Sequence, residues 1–361
     1  MNITLITNSH GSEQPSMIGY GRLLHDQMSL ADFKCNDLQV TGFFDGKSKY
    51  LRNIDRFFLS PIAFVGHSSE ICHVIDPSNA FYLPFTRSKK KSITIHDAIP
   101  YLAEAGELDG FKPSRMGSKL MSFLESQFKK CDGIVTVSEN TKNDICRLFN
   151  INEENIKVIR NSITQNLSAG SIDQLDEFRK NYDLLIDKPL IMHIGKNFYK
   201  NRSGVIDVMD HLHRRGFDSH LVMVSPADES LISQIQTCGI SSRVTFLSNL
   251  SEVELSYLYQ ISDVLLFPSI YEGFGLPVLE AQKLGTPVIC SGEGSLKEVA
   301  GEGAIIEKYY DVEGLADSVI ACITQDALAQ DLINKGFQNI KRFSLDIWRD
   351  SYTSFFKDLT K

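Results

Sequence analysis

Short apolar runs, many of them rich in β-branched residues, recur along the chain and alternate with segments of helical periodicity. In the first half these runs are ITLIT, LQVTGFF, PIAFVGH, SITIHD, GIVTVSE and IKVIRNS. In the second half they are PLIMHIG, HLVMVSP, VTFLSN, DVLLFPS, PVICSG and AIIEK. Continuous apolar runs separated by helical crossovers are typical of parallel strands that are buried on both faces. The pattern therefore predicts two doubly wound α/β domains.

The chain has 361 residues, of which 42% are hydrophobic, and this length suits two domains better than one. Few core-forming runs lie between residues 163 and 188, so we place the hinge there. We predict a first domain over 1–165, a linker over 166–188 and a second domain over 189–342. Residues 343–361 read as an amphipathic helix that packs back toward the first domain.

Charge is distributed unevenly between the two halves. Residues 1–165 carry 19 Lys and Arg against 18 Asp and Glu, and the remainder carries 18 against 27. An acidic half is a poor partner for nucleic acid, so none is expected. The basic segment 87–91 (RSKKK) is either a solvated loop or a contact with an anionic surface.

Nothing in the sequence predicts a membrane span or a secretion signal. No apolar run approaches the roughly 18 residues that a spanning helix needs, and the first residues lack the basic flank of a signal peptide. We therefore expect a soluble, cytoplasmic protein and leave peripheral contact with a membrane open.

Metal sites and disulfides are not expected. The seven cysteines are scattered without a C-x-x-C pair, there is no D-x-D pair, and the only close histidine spacing is His211-x-His213. The sequence thus predicts no metal ion and no other bound cofactor.

The segment YEGFGLPVLE joins an apolar run to a helical pattern, so it lies where the carboxyl end of a strand meets the amino end of a helix. Backbone N–H groups at such a junction bind phosphate or sugar oxygens, and Gly273 and Gly275 let the backbone approach a ligand. Glu272 and Glu280 then face one pocket at different depths. They suit either an acid/base pair for glycoside hydrolysis or two acceptors for ligand hydroxyl groups, and we favour the second interpretation.

A second junction, HIGKNFYKNRSG, is rich in cations. Lys196, Lys200 and Arg202 can turn toward one point, where they would stabilise the charge that develops on a departing diphosphate. Taken alone, the three residues would be read as a solvated basic loop.

The segment Gly19-Tyr20-Gly21 only partly matches the dinucleotide fingerprint G-x-G-x-x-G, because position 24 is leucine. We interpret it as a flexible loop near the phosphates and the acceptor. His96 and Asp97 follow the run SITI, and a His-Asp pair at that place is more often structural than catalytic.

Taken together, the motifs resemble glycosyltransferase family 4, which has the GT-B fold of two Rossmann-like domains facing a central cleft. HDAIP, TVSENTK, KVIRNSI, HIGKNFYKNRSG, SIYEGFGLPVLEAQKLGTPVICS and GSLKEV occur in the family's order. The resemblance implies a retaining, metal-independent enzyme that moves a hexose from a UDP- or GDP-sugar to a glycan or lipid-linked acceptor, as in surface polysaccharide biosynthesis. In such enzymes the leaving phosphate is thought to accept the proton of the acceptor.

The resemblance also implies roles for particular residues. The catalytic set is Glu272, His96 and Lys200. The set expected to bind the nucleotide sugar comprises Lys196, Lys200, Arg202, Glu272, Gly273, Phe274, Gly275, Leu276, Glu280 and Gly21. Ser225-Pro226, Asn249 and Lys297 depart from the family pattern and leave the choice between UDP and GDP open.

Two other functions fit the same sheets: a nucleotide-dependent oxidoreductase, which Leu24 and the paired glutamates disfavour, and a non-catalytic protein that binds nucleotide sugars. The sequence does not identify the sugar, the acceptor, the linkage or the oligomeric state.

Overall fold

The computed structural model describes residues 1–8, 15–40, 54–163, 167–184 and 187–361. They divide into two compact units, each with its own sheet and core. The first unit comprises residues 1–160 together with 345–361, and the second comprises residues 161–344.

Each unit contains a six-stranded sheet whose neighbouring strands are all parallel. The strand order is β2-β1-β3-β4-β5-β6 in the first unit and β12-β11-β10-β7-β8-β9 in the second. The strands are β1 Asn2–Thr7, β2 Lys34–Gln39, β3 Ile71–Val74, β4 Lys90–Ile95, β5 Gly133–Thr136, β6 Ile156–Val158, β7 Leu190–Ile194, β8 His220–Val224, β9 Val244–Leu247, β10 Val264–Phe267, β11 Val288–Ser291 and β12 Ile305–Glu307.

Helices connect the strands and cover the sheets. The α-helices are α1 Pro15–Leu30, α2 Ser60–Phe64, α3 Ile99–Glu104, α4 Arg115–Phe128, α5 Glu139–Phe149, α6 Ile172–Asn181, α7 Arg202–Arg214, α8 Glu229–Thr237, α9 Glu252–Ile261, α10 Leu276–Leu284, α11 Leu296–Ala300, α12 Val312–Thr324, α13 Asp326–Asn339 and α14 Leu345–Leu359. A π-helical turn, Asp55–Leu59, leads into α2. Short 3-10 segments are Pro77–Phe85, Glu153–Asn155, Phe198–Lys200, Ser241–Arg243 and Ile340–Phe343.

The second sheet is buried on both faces because successive residues of a strand point to opposite sides. Ile191 of β7 belongs to one apolar cluster, formed with α7, α8, α12 and α13. Its neighbours Leu190 and Met192 belong to the opposite cluster, formed with α6, α9 and α10. This arrangement explains why the strands read as continuous apolar runs.

The C-terminal helix α14 belongs to the core of the first unit. Trp348, Tyr352 and Phe356 are buried in one cluster with Ile3 and Leu5 of β1. The Tyr352 hydroxyl hydrogen-bonds Thr94 of β4 at 2.8 Å. The last helix of the chain therefore completes the unit that the first strand begins.

Three features of the first unit differ from the predicted strand pattern. The run PIAFVGH lies in α2 and the turn after it, where Pro61 and Phe64 face inward while Ile62 and Val65 are exposed. Periodicity cannot separate a short buried strand from a short helix, and proline suits the first helical turn. The third strand of the first unit is instead Ile71–Val74. The second strand, β2, is Lys34–Gln39, so it begins before the predicted run LQVTGFF, much of which lies outside the described residues. All six predicted runs of the second half contain strands.

The segment predicted as a linker, 166–188, contains a helix of the second unit. α6 begins with a capping box between Ser171 and Gln174, and Phe178 is buried in the core cluster. The boundary between the units instead falls between residues 160 and 161. Sequence reasoning placed it too late because the apolar face of this short helix contributes few core residues.

No helix in the described parts of the chain is both long enough and apolar enough to cross a membrane.

Candidate functional site

Two loops meet at the carboxyl edge of the second sheet. Strands β7 and β10 are adjacent and parallel, so the loops that follow them start side by side. The Ile270 N–H donates to the Tyr199 carbonyl oxygen at 2.7 Å and joins the two loops directly. The cation-rich junction and the YEGFG segment are therefore neighbours in this unit.

Lys200 and Glu272 form an ion pair at this junction. Lys200 Nζ lies 2.6 Å from Glu272 Oε1, and the two side chains are only 13% and 8% exposed. The ammonium group also lies 4.7 Å from the centre of the Phe267 ring, a favourable cation–π distance. Gly195, at φ +122°, lies directly against this side chain, because a Cβ there would be 2.8 Å from Lys200 Cγ.

The loop that carries Glu272 is held from behind by residues 294–296. The Ser295 N–H and Oγ donate to the Glu272 carbonyl oxygen at 3.0 and 3.1 Å, and Oγ also lies 2.8 Å from the Phe274 carbonyl oxygen. Gly294, at φ +61°, lets the two backbones approach, since a Cβ there would collide with the Glu272 carbonyl. We assigned no role to Ser295 from the sequence, although the motif GSLKEV was the signal that could have indicated one.

Glu280 lies in α10, and its carboxylate contacts a tyrosine that sequence reasoning missed. The Tyr259 hydroxyl, from α9, donates to Glu280 Oε2 at 2.8 Å. Burial raises the pKa of Glu280, whereas this hydrogen bond and the positive charge of Lys200 act in the opposite direction. Lys200 thus acts on both predicted carboxylates, by direct contact with Glu272 and through its field at Glu280.

Arg202 and Lys196 lie in different surroundings from Lys200. Arg202 Nη1 pairs with Asp228 at 2.9 Å, and Nη2 donates to the Pro226 carbonyl oxygen, so this side chain holds the loop after β8. Lys196 is exposed. α7 begins after Asn201, at φ +55°, and the N–H groups of its first turn have no acceptor within the helix.

The remaining predicted residues of the YEGFG segment shape its backbone. The Phe274 ring is 6% exposed and packs edge-on against Phe343 at 5.8 Å, so it serves the core of the unit. Gly275, at φ +96°, precedes α10, and a Cβ there would lie 2.5 Å from Leu296. Gly273 is buried, and Leu276 is partly buried at the start of α10.

His96 lies just beyond the carboxyl end of β4 in the first unit. Its Nε2 lies 2.9 Å from the Ile75 carbonyl oxygen and must donate, because a carbonyl only accepts. Burial lowers the pKa of His96, so the neutral ring is favoured and Nδ1 is the acceptor. The Tyr20 ring meets the imidazole edge-on at 4.8 Å and fixes its plane.

The interpretation of Gly21 as part of a loop is wrong. Gly19, Tyr20 and Gly21 lie within α1, which begins at Pro15. Gly21 is buried, and a Cβ there would lie 2.5 Å from Ile75 Cδ1 and 3.3 Å from Thr7 Cγ2. Its physical role is close packing of the helix on β1 and β3, and the polar residues after β1 misled the assignment.

In the described residues, no group of three or more His, Cys, Asp or Glu side chains is placed to hold a metal ion.

Two family models match the chain in succession. Residues 45–166 match Glycosyltransferase Family 4, and residues 175–339 match Glycosyl transferases group 1. The first match lies almost wholly in the first unit and the second lies within the second unit.

Several curated proteins are similar to the chain. An uncharacterised glycosyltransferase of Methanocaldococcus jannaschii is 33% identical over 190 residues, covering 50% of this chain and 46% of that protein. The chain thus spans less than half the length of this relative. O-antigen chain mannosyltransferase B of Escherichia coli is 24% identical, covering 73% of this chain and 69% of its own. O-antigen chain mannosyltransferase RfbU of Salmonella typhimurium is 29% identical, covering 60% and 56%.

Solved structures agree with the fold over nearly the whole chain. A sucrose-phosphate synthase from Thermosynechococcus elongatus superposes with a TM-score of 0.80 at 16% identity, covering 99% of both chains. The Anabaena protein HepE, in complex with UDP and glucose, superposes with a TM-score of 0.75 at 15% identity, again covering 99% of both. At such identities the likeness concerns the fold alone.

Proposed function

Because the chain belongs to the group 1 and family 4 glycosyltransferases, we propose that it transfers a hexose from a nucleotide sugar to a glycan or lipid-linked acceptor. Its fold is GT-B, as the motifs predicted. The O-antigen mannosyltransferases among its relatives support a role in polysaccharide biosynthesis. Retention of configuration, independence of metal ions and the absence of another cofactor are further parts of this proposal, as is work in the cytoplasm at the membrane surface.

The ion pair between Lys200 and Glu272 is the observation that carries the proposal. A buried cation and a buried carboxylate, 2.6 Å apart at two adjoining strand ends, complement the two parts of a sugar diphosphate. On donor binding we propose that Lys200 turns to the diphosphate, where its charge stabilises the leaving group. Glu272 is thereby released to accept hydrogen bonds from the transferred sugar.

The surrounding groups extend this assignment. The N–H groups of the first turn of α7 have no acceptor within the helix and no side-chain cap from Asn201, and they favour an anion beside Lys200. Glu280, held by Tyr259 one helical turn beyond the YEGFG loop, is the proposed acceptor for the ribose hydroxyls. In the first unit, the neutral His96 is proposed to act through the lone pair on Nδ1, which can accept a hydrogen bond from a ligand hydroxyl group.

A screen of UDP- and GDP-sugars, with NAD included as a comparison ligand, tests the proposal. Thermal shift identifies the nucleotide that binds, and slow hydrolysis of the same donor, measured with EDTA and again with manganese, reports bond cleavage and any need for metal. The anomeric configuration of the released sugar, read by NMR before it equilibrates, reports retention. Binding without cleavage or transfer would identify a nucleotide-sugar binding protein, a thermal shift with NAD alone would favour an oxidoreductase, and a manganese requirement would refute metal independence.

A further inference from the structure

A row of large apolar side chains lies on the outer side of a helical segment in the first unit. Residues 54–65 comprise the π-helical turn, α2 and one flanking residue at each end. Ile54, Phe58, Ile62 and Val65 succeed one another at steps of four, four and three and are all exposed, Phe58 and Ile62 by 68% and 70%. Such spacing puts them on one side of a helix, whereas Pro61 on the other side is buried. Exposed apolar residues are ordinarily scattered, and a contiguous row marks an interaction surface.

The basic segment 87–91 lies beside the end of this row. The Arg87 N–H donates to the His67 carbonyl oxygen at 2.9 Å, and the Lys89 N–H donates to that of Ser69 at 3.1 Å. Residues 77–96 contain four Lys and Arg and no acid. Arg87 and Lys89 are exposed, and the part of the chain that the structure describes offers neither of them an ion pair.

Helix α4 continues the same combination of cations and apolar side chains. Residues 112–130 carry five Lys and Arg against one acid, in a chain whose net charge is −8. Met116, Lys119 and Phe123, at steps of three and four, are all exposed. The Phe123 ring lies 5.5 Å from that of Phe81, which in turn lies 5.3 Å from Phe57 of the π-helical turn. This aromatic chain joins α4 to the helical segment.

A groove of about 540 Å³ connects the two basic segments. Phe81, Phe85 and Phe123 line it together with Lys91 from one segment and Lys130 from the other. Lys91 is the second residue of β4, so the groove lies at the amino edge of the first sheet, at the opposite end of that strand from His96. The helical segment 54–65, the segment 87–91, α4 and this groove are called the basic apolar face below.

We propose that the basic apolar face binds the surface of a bilayer containing anionic phospholipid. The apolar row would enter the boundary between headgroups and acyl chains, while the flanking cations contact lipid phosphates. Nucleic acid would contact the cations of this face but not its apolar row. A second copy docked through the same face would bring like charges together. The inference deepens the proposed function and rests on it in one respect, since a lipid-linked acceptor would be reached from this surface.

Vesicle co-sedimentation of the full chain tests the inference. The probes are phosphatidylcholine vesicles with and without about 30 mol% phosphatidylglycerol, at low and at high salt. We expect binding to the anionic vesicles alone and a loss of affinity with salt. Lys89→Glu and Lys119→Glu should each weaken binding by at least roughly fivefold, the effect of one cation near such a surface. Phe58→Ser with Ile62→Ser should weaken it by about tenfold or more.

Matched controls lie in the second unit. Ile172→Ser removes an isoleucine that is 78% exposed, and Lys180→Glu reverses an exposed lysine. Both should bind vesicles as the unaltered chain does. Equal loss in the controls, unaltered binding by the face variants, or no binding to anionic vesicles would refute the inference. So would self-association that Ile62→Ser abolishes in the absence of vesicle binding.

Hydrolysis of the nucleotide sugar without vesicles separates this inference from the proposed function. The face variants should hydrolyse the donor at the unaltered rate, because none of the substituted residues belongs to the proposed donor site. Lys89 precedes β4, at the opposite end of that strand from His96. A chain that binds vesicles through this face but cleaves no donor would leave the inference standing and refute the proposed function. Cleavage of the donor without vesicle binding would refute the inference and leave the proposed function standing.

Discussion

Lys200 carries more of the proposed chemistry than any other single side chain. Lys200→Ala removes a cation that is held 2.6 Å from Glu272 and would act on the developing charge of the diphosphate. We expect the loss in kcat/KM to correspond to roughly 2–4 kcal/mol, with donor affinity reduced as well. Steady-state kinetics with the donor identified by the screen measure both. Lys180→Ala is the control for removing a charge, and kinetics of Lys200→Ala equal to those of this control would refute the assignment.

The same ion pair should also contribute to the free energy of unfolding. Lys200→Ala leaves the Glu272 carboxylate buried without its partner, and breaking a buried pair in this way costs about 3–5 kcal/mol. In Lys200→Ala with Glu272→Gln no unpaired charge remains, so the double variant should be more stable than the single lysine variant. Chemical unfolding of the two single variants and the double variant measures this coupling. Strict additivity would show that the pair is not formed in solution.

Substitutions of Glu272 and Glu280 should impair different steps, because the two side chains are proposed to contact different parts of the donor. Glu280→Gln should reduce affinity for the nucleoside diphosphate and for the intact donor alike. Glu272→Gln should lower turnover and sugar discrimination while the bare diphosphate binds nearly as before. Calorimetry with the diphosphate, beside transfer rates with the intact donor, makes the comparison. An equal loss of diphosphate affinity in both variants would refute the division of roles.

Glu280 should also make the free energy of unfolding depend on pH. Its pKa is raised in the folded chain, mainly by burial, so folding favours the protonated carboxyl and this contribution is lost as pH rises through the folded pKa. Above the ordinary pKa of a glutamate, the preference of the folded chain for the protonated form lowers stability. Glu280→Gln keeps an acceptor for Tyr259 and should therefore raise the melting temperature at pH 7, and raise it by less at pH 5. A variant that is less stable at pH 7 than the unaltered chain would contradict this expectation.

At the scale of elements, the loop before α11 positions the loop that carries Glu272. Ser295→Ala removes the hydroxyl proton that is shared between the carbonyl oxygens of Glu272 and Phe274, at a cost of about 1–2 kcal/mol in stability. Because those bonds hold the Glu272 backbone, turnover should fall too. Ser262→Ala is the matched control, since its buried Oγ donates to the Leu258 carbonyl oxygen at 2.6 Å in α9. It should lose similar stability and keep normal turnover, and equal turnover in the two variants would refute the positioning role.

The second unit could be predicted from the sequence more completely than the first. Its strands are continuous apolar runs because helices cover both faces of the sheet, so the pattern identifies them directly. In the first unit, the run PIAFVGH is as apolar as a strand but exposes Ile62 and Val65 on a helix. The hydrophobic pattern records only that a residue is apolar. It therefore cannot distinguish an apolar residue exposed on a helix from one buried in the core.

The site was predictable to the level of its loops and no further. The pattern of strand, glycine and helix placed Lys200 and Glu272 each after the end of a strand. That the two strands are adjacent depends on the sheet topology, and the 2.6 Å contact depends on side-chain conformation. Tyr259 and Ser295 stabilise the two predicted glutamate positions from α9 and from the loop before α11. Such supporting contacts join residues that are far apart along the chain. The motif GSLKEV could have indicated a role for Ser295 but not its partners, and no motif indicated Tyr259.

At the scale of the whole molecule, buried neutral histidines make both units sensitive to acid. Burial lowers the pKa of His73 in the first unit to about 3. Burial, with smaller contributions from Lys200 and Arg202, lowers that of His193 in the second unit to about 4. Each unfolded histidine would bind a proton near its ordinary pKa of about 6.5. The contribution of these groups is therefore fully present above that value and is lost as pH falls below it.

His73 offers the sharpest test of this acid sensitivity. Its ring nitrogens lie 2.9 Å from Ser92 Oγ and 3.0 Å from Thr94 Oγ1, and the edge of the ring meets Phe356 of α14. His73→Gln keeps a donor and an acceptor but does not titrate. We expect the variant to be less stable at pH 7, because the amide fills the site poorly, and to lose less stability than the unaltered chain between about pH 6.5 and pH 4.

Urea unfolding at several pH values, followed through the single tryptophan, Trp348, reports on the unit that contains His73. The stability gap between variant and unaltered chain should narrow steadily as pH falls. A constant gap across this range would show that the folded His73 takes up a proton as readily as the unfolded one. His96, whose pKa burial also lowers, would then be the next buried histidine of the first unit to substitute in the same assay.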